Sequence, residues 1–169
     1  VRIGGVAAER VFPPAASEDK LILYLHGGGY ALGSPRTHRG IASRLSAYSG
    51  CQAFVLDYRL APEHPFPAAL EDALTAYGSI MASGTPPEKV VVAGDSAGGG
   101  LTLSLLLALK QRDLPLPAGA YCMSPWTNLY ECNKSGQYRR TGIKHRQDRY
   151  VRYASDLYAA GTCKRNPLI

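Results

Sequence analysis

Lys89-Val90-Val91-Val92-Ala93-Gly94-Asp95-Ser96-Ala97-Gly98 is the stretch that decides the fold. Its three consecutive valines suit a strand, because branched side chains fit a pleated, buried surface. The run is short and ends at glycine, and a leucine-rich helical stretch follows over about Ala97–Gln111. Leu101, Leu103, Leu105, Leu106, Leu107 and Leu109 leave that helix little polar face. A helix apolar nearly all round is expected to be buried. Gly94-x-Ser96-x-Gly98 therefore sits at a strand-to-helix junction, where it reads as a nucleophile elbow. The serine occupies a sharp turn, the flanking glycines let strand and helix approach closely, and the hydroxyl is pushed out of the sheet. The helix N-terminus behind it supplies partial positive charge for a developing oxyanion.

The same alternation extends outward. Lys20–Leu25, Gln52–Tyr58 and Ala118–Met123 read as three more short apolar strands. About Thr37–Tyr48 and Ala68–Ala82 read as helices between them. Strand and helix alternating at this spacing predict an α/β fold, with a mainly parallel sheet and helices on both faces. Nearly continuous apolar strands are what burial on two faces requires. Pro86-Pro87 and Leu114-Pro115-Leu116-Pro117 break elements without dividing domains. Residues 145–160 carry a loose helical pattern of Tyr150, Tyr153, Leu157 and Tyr158. The chain has no repeats and no low-complexity segment.

The length of 169 residues fits one domain, and 46 % apolar residues suffice for a core of that size. No run of 18 uncharged apolar residues is present, so no membrane span is expected. The net charge of +6 is concentrated. Residues 1–130 carry ten basic and ten acidic side chains, and residues 131–169 carry nine and three. The basic tail has no phosphate loop, zinc-finger spacing or aromatic-interleaved motif, so it reads as a solvated helical face and not as a nucleic-acid site. Cys51, Cys122, Cys132 and Cys163 form no Cys-x-x-Cys pair, so no metal site is expected. Cys51 and Cys122 read as buried free thiols, and with no export signal a reducing cytoplasm is the expected setting.

A second motif, His26-Gly27-Gly28-Gly29, ends the Lys20–Leu25 strand. Three glycines leave backbone N–H groups free to point at a ligand. Acyl transfer needs such donors where a tetrahedral oxyanion forms. His26 lies on this loop, so it reads as a residue that holds the loop by hydrogen bonds and not as a general base. A dinucleotide fingerprint fails on spacing, since Leu32 and Leu103 stand where glycine would be needed.

His26-Gly27-Gly28-Gly29-Tyr30 and Gly94-Asp95-Ser96-Ala97-Gly98-Gly99 together resemble the hormone-sensitive-lipase family of α/β-hydrolase esterases and lipases. Asp57-Tyr58-Arg59-Leu60-Ala61-Pro62-Glu63-His64, Phe66-Pro67-Ala68-Ala69 and Ser124-Pro125-Trp126-Thr127-Asn128-Leu129 extend the likeness over nearly the whole chain. At Asn128 the family commonly has Asp. The resemblance implies an α/β-hydrolase fold and a carboxylic-ester hydrolase that acts on small-molecule esters. It implies a Ser-His-Asp triad, an acyl-enzyme, and no metal or cofactor. Position by position, Ser96 becomes the nucleophile, and the N–H groups of Gly28, Gly29 and Ala97 the oxyanion hole. His26 and Gly27 support the loop, Glu63 and His64 fall in a structural motif, and Asp57 and Asp95 become structural hydrogen-bonding groups.

The family's triad Asp and His follow the last segment matched here, and His38, His64 and His145 take no base role. The expectation is therefore a partial α/β-hydrolase domain over 1–169, cut at both ends, with about 130–160 as a cap insertion. The fold would be incomplete on its C-terminal side, leaving Ala118–Met123 as an exposed edge. Tyr138, Tyr150, Tyr153 and Tyr158 read as packing residues of that insertion. The competing expectation is a non-catalytic small-molecule-binding module on the same fold.

Overall fold

The computed structural model describes residues 1–14, 16–129 and 144–169, with side chains in the last stretch from 149 onward. The strands are β1 (Arg2–Ile3), β2 (Val6–Val11), β3 (Ser17–Leu25), β4 (Cys51–Leu56), β5 (Val90–Asp95) and β6 (Gly119–Met123). The helices are α1 (Pro35–Ser49), α2 (Ala68–Ala82), α3 (Ser96–Gln111) and α4 (Lys144–Ala159), with a 3-10 turn at Pro87–Lys89. The strands form one sheet in the order β1-β2-β4-β3-β5-β6. β4, β3, β5 and β6 run parallel, and β1 and β2 are antiparallel to their neighbours.

Period-two alternation in β3 divides the core. Leu21, Leu23 and Leu25 face one cluster with residues of α2 and α3. Ile22 and Tyr24 face another with Ala42, Ile41 and Leu45 of α1. The central strands are thus buried on both faces, which is why they read as unbroken apolar runs. Ser34 caps α1 through the Thr37 N–H in a capping box, and Gly50 closes it in the left-handed region.

Two features differ from the sequence expectations. β1 and β2 form a hairpin beyond the four expected strands. Gly4 and Gly5 (φ 58° and 87°) make its two-residue turn, and this Gly-Gly between short apolar runs is a readable hairpin signal. The second difference is α3, which is not apolar-buried all round. Leu101, Leu105 and Leu109 are buried, whereas Leu103 is 40 % exposed and Leu106 and Leu107 are half-buried. That side lies next to β6, the last strand in the sheet order, whose Tyr121 is 52 % exposed. With Leu116 and Pro117 these leucines line an open apolar hollow of about 390 Å³. Cys51 and Cys122 are half-buried and Cys163 is exposed, all as free thiols, so the first two are less enclosed than expected. Cys132 lies outside the described residues. No helix among the described residues is long and apolar enough to cross a membrane.

The two sides of α3 should respond differently to truncation. Leu101→Ala is expected to lower the unfolding free energy by about 2–5 kcal/mol through a lost core contact and a cavity. Leu103→Ala, two residues along, should cost less than about 1 kcal/mol. Urea unfolding of the two variants measures the difference, and equal losses would restore the buried-all-round reading.

Candidate active site

The site begins where β3 and β5 end side by side. Their parallel pairing runs to Leu25 opposite Gly94. The chain then leaves β3 as the loop 26–29 and leaves β5 as the first turn of α3. A Cβ at Gly98 would overlap the Leu25 carbonyl oxygen, and one at Gly94 would overlap the Gly98 carbonyl oxygen. Backbone meets backbone here, and no side chain larger than hydrogen fits. Ser96, the first residue of α3, takes φ 50°, the left-handed region that non-glycine residues avoid. The first turn of α3 carries no acidic residue, and no side chain makes a cap bond to its N-terminal N–H groups.

Across from it, Gly28 (φ 128°) bends the loop, and a Cβ there would overlap the Leu32 carbonyl oxygen. Ser96, Gly28 and Gly29 together line an open cavity of about 460 Å³. Its other walls come from Ser124, Trp126 and Asn128 after β6, and from Tyr150, Val151 and Ala154 of α4. The Trp126 N–H donates to the Ser96 carbonyl oxygen at 2.8 Å, tying the segment after β6 to the elbow. A Cβ at Gly100 would overlap the Trp126 carbonyl oxygen, so a third glycine of this helix is sterically required. The Tyr150 hydroxyl donates to the Gly28 carbonyl oxygen at 3.3 Å. Ala97 is fully buried and its side chain does not line the cavity.

His26 and Gly27 lie behind the cavity wall. His26 is fully buried, stacked on Tyr58 (centroids 4.3 Å apart) and on His38 (5.3 Å). Its Nδ1 lies 2.9 Å from the Gly27 carbonyl oxygen, which only accepts, so Nδ1 carries the proton. Its Nε2 has no hydrogen-bond partner among the described residues. A second proton would sit on that enclosed nitrogen with no acceptor, and burial accordingly pushes the His26 pKa down. The Tyr58 hydroxyl donates to the His26 carbonyl oxygen at 2.5 Å, so its motif position is a loop anchor.

Other motif residues lie elsewhere. Arg59 binds Asp72 of α2 through both its backbone N–H (2.8 Å) and its guanidinium (2.9 Å), while Glu63 and His64 are exposed. Asp95 uses its carboxylate on the loop, binding the Gly27 N–H at 2.9 Å. Asp57 differs from its expected part: the residue is exposed, and among the described residues its backbone N–H, not its carboxylate, makes the bond, to the Ala7 carbonyl oxygen. Tyr158 is buried against Tyr30 (centroids 3.7 Å, 5° between planes), Tyr150 lines the cavity, and Tyr153 is 62 % exposed. Tyr138 and the His145 side chain lie outside the described residues. Among the described residues, no His, Asp or Glu lines the cavity, and no cluster of three or more His, Cys, Asp or Glu suits a metal ion.

A family model for the alpha/beta hydrolase fold matches residues 22–169. The chain is 44 % identical over 169 residues to an acetyl-hydrolase of Streptomyces hygroscopicus, covering 99 % of this chain and 56 % of that protein. It is 33 % identical over 180 residues to an esterase of Acinetobacter venetianus, covering 99 % and 57 %. A solved esterase from the bacterial hormone-sensitive lipase family superposes with a TM-score of 0.91 at 42 % identity, covering 99 % of this chain and 57 % of that one. The chain thus spans little more than half the length of these two curated relatives.

The enclosed His26 sets a pH dependence. The unfolded chain takes up a proton near the usual 6.5, and the folded state does so only at lower pH. The unfolded form therefore binds more protons below that value, and stability falls as pH falls, by up to about 1.4 kcal/mol per pH unit. Above pH 6.5 the contribution is fully present. His26→Asn removes this titration, so the stability gap between wild type and variant should narrow between pH 7.5 and 5.5. A gap that widens on acidification would contradict a neutral, buried His26.

Proposed function

The chain belongs to the alpha/beta hydrolase fold family, in its hormone-sensitive-lipase branch, and on that footing we propose that it carries the nucleophile and oxyanion hole of a carboxylic-ester hydrolase. The observation that carries the proposal is Ser96 at φ 50° on the β5–α3 turn, sharing one cavity with Gly28 and Gly29.

In this reading the Ser96 Oγ attacks the carbonyl carbon of a small ester. The carbonyl oxygen becomes an oxyanion that accepts from the N–H groups of Gly28, Gly29 and Ala97, aided by the α3 N-terminus. His26 and Gly27 hold the loop that presents these donors. The tetrahedral intermediate collapses, the alcohol leaves with a proton, and an acyl-serine remains. Water then attacks the acyl carbon, releasing the acid and restoring the serine. A serine hydroxyl is a weak nucleophile until a base accepts its proton. No described side chain lining the cavity can do so. We place the triad Asp and His outside residues 1–169; the expected cap insertion of about 130–160 lies partly outside the described residues, and its described part in α4 lines the cavity through Tyr150, Val151 and Ala154. The acetyl-hydrolase among the relatives supports a short acyl group as substrate.

Hydrolysis of p-nitrophenyl butyrate by the protein expressed from its whole coding region tests this. Ser96→Ala should lower kcat by about 10⁴- to 10⁶-fold with the fold intact. In this reading residues 1–169 by themselves should fall short of the whole protein by a similar factor, because the base lies outside them. Equal rates for wild type and Ser96→Ala would remove Ser96 from the chemistry.

A further inference from the structure

We propose that Asp95 is a positioning residue, whose carboxylate sets the oxyanion loop against Ser96 while Gly27 is glycine to make room for it. The inference rests on the hydrolase reading above.

Gly-x-Ser-x-Gly itself places no demand on its second position. Asp95 ends β5 and stands at the N-cap of α3, yet it makes no side-chain cap bond. Its carboxylate reaches across to the neighbouring chain instead. Oδ1 accepts from the Gly27 N–H at 2.9 Å and from the Tyr24 hydroxyl at 2.7 Å. Oδ2 lies 3.5 Å from Nε2 of His38 on α1. Three elements therefore converge on one carboxylate. Burial, with that carboxylate beside it, pushes the Tyr24 hydroxyl well above its usual pKa, so it remains a donor.

Gly27 explains why this matters. Gly28 and Gly29 have φ of 128° and 65°, which favour glycine on backbone grounds. Gly27 is not in the positive-φ region, so its backbone tolerates any residue. The obstacle there is Asp95: a Cβ at Gly27 would overlap Oδ2 and lie 3.0 Å from both Cγ and the Asp95 carbonyl oxygen. The missing side chain at 27 answers to the residue at 95.

The bond also has a short covalent reach on each side. Asp95 is one peptide from Ser96, and Gly27 is one peptide from Gly28. Sheet pairing between β3 and β5 ends at Leu25 and Gly94. Past that point, the Gly27–Asp95 bond ties the loop to the elbow. Oxyanion donors must lie about 2.7–3.1 Å from where the charge develops. A shift of about 1 Å costs on the order of 10²-fold in rate. Such a loss falls on the transition state and not on substrate binding, so it appears in kcat.

The experiment uses the protein expressed from its whole coding region, with p-nitrophenyl butyrate as substrate and near-UV circular dichroism as the check on folding. Asp95→Ala should lower kcat about 10²-fold and leave KM within about twofold. Asp95→Asn keeps an oxygen acceptor for Gly27 and Tyr24 and should stay within about threefold of wild type. Gly27→Ala should lower kcat by about tenfold or more when Asp95 is present, and add less than about twofold to Asp95→Ala. A purely structural role would instead lower thermal stability and spare kcat of the folded protein. Asp95→Ala within about threefold of wild-type kcat overturns the proposal, as does an equal cost of Gly27→Ala in both backgrounds. If Asp95→Ala does not fold, Gly27→Ala against wild type decides, and unchanged kcat there also overturns it. A fully active Ser96→Ala protein would refute the hydrolase reading separately, whatever Asp95 does.

Discussion

The first turn of α3 and the end of β3 touch through their backbones, and the rest of the site depends on that contact. Gly94 and Gly98 permit it, since a side chain at either would enter a carbonyl oxygen of Gly98 or Leu25. Because the contact is made, β3 and β5 lie abreast as interior strands with α3 over the sheet. The elbow and the glycine loop then leave the sheet at the same level. The left-handed φ at Ser96 costs on the order of 1–3 kcal/mol, and the buried strand and helix around it hold it in place.

Polar groups brought into such a crowded junction must find partners. On the α1 side they form a connected set: Tyr24 and the Gly27 N–H on Asp95, and Tyr58 on the His26 carbonyl oxygen. His26 joins the set through Nδ1 and through stacking on Tyr58 and His38. Burial lowers its pKa, and among the described residues Nε2 has no acceptor for a second proton.

The opposite wall is held by aromatic packing. Tyr30, directly after the three glycines, is buried at φ 61° and stacks flat on Tyr158 of α4. Phe66 meets Tyr158 edge-on, and the Phe66 N–H donates to the Tyr158 carbonyl oxygen at 2.8 Å. Aromatic pairs of this kind contribute about 0.5–1.5 kcal/mol beyond their buried area. They seat α4 so that Tyr150, Val151 and Ala154 close one side of the cavity. α4 therefore serves the site through one face while its Arg149, Arg152 and Tyr153 side chains remain in solvent.

Local chemistry in the sequence determined the central strands, the three helices between and after them, and the two glycine motifs. Each of these depends on neighbours a few residues away: valine runs, leucine spacing, glycines flanking a serine. Helix α2 matches its expected bounds residue for residue, and the other central elements shift only at their ends. The β1–β2 hairpin was legible in Gly4-Gly5, but its strands are too short and too weakly apolar to stand out. What only the tertiary structure decided are relations between distant parts of the chain. Gly27 answers to Asp95, Gly100 to Trp126, and Tyr30 to Tyr158. Leu103 is exposed because α3's leucines face different neighbours, not because its own sequence differs from that of Leu101. Helical spacing states that a face is apolar, and only the packed sheet states what lies against it.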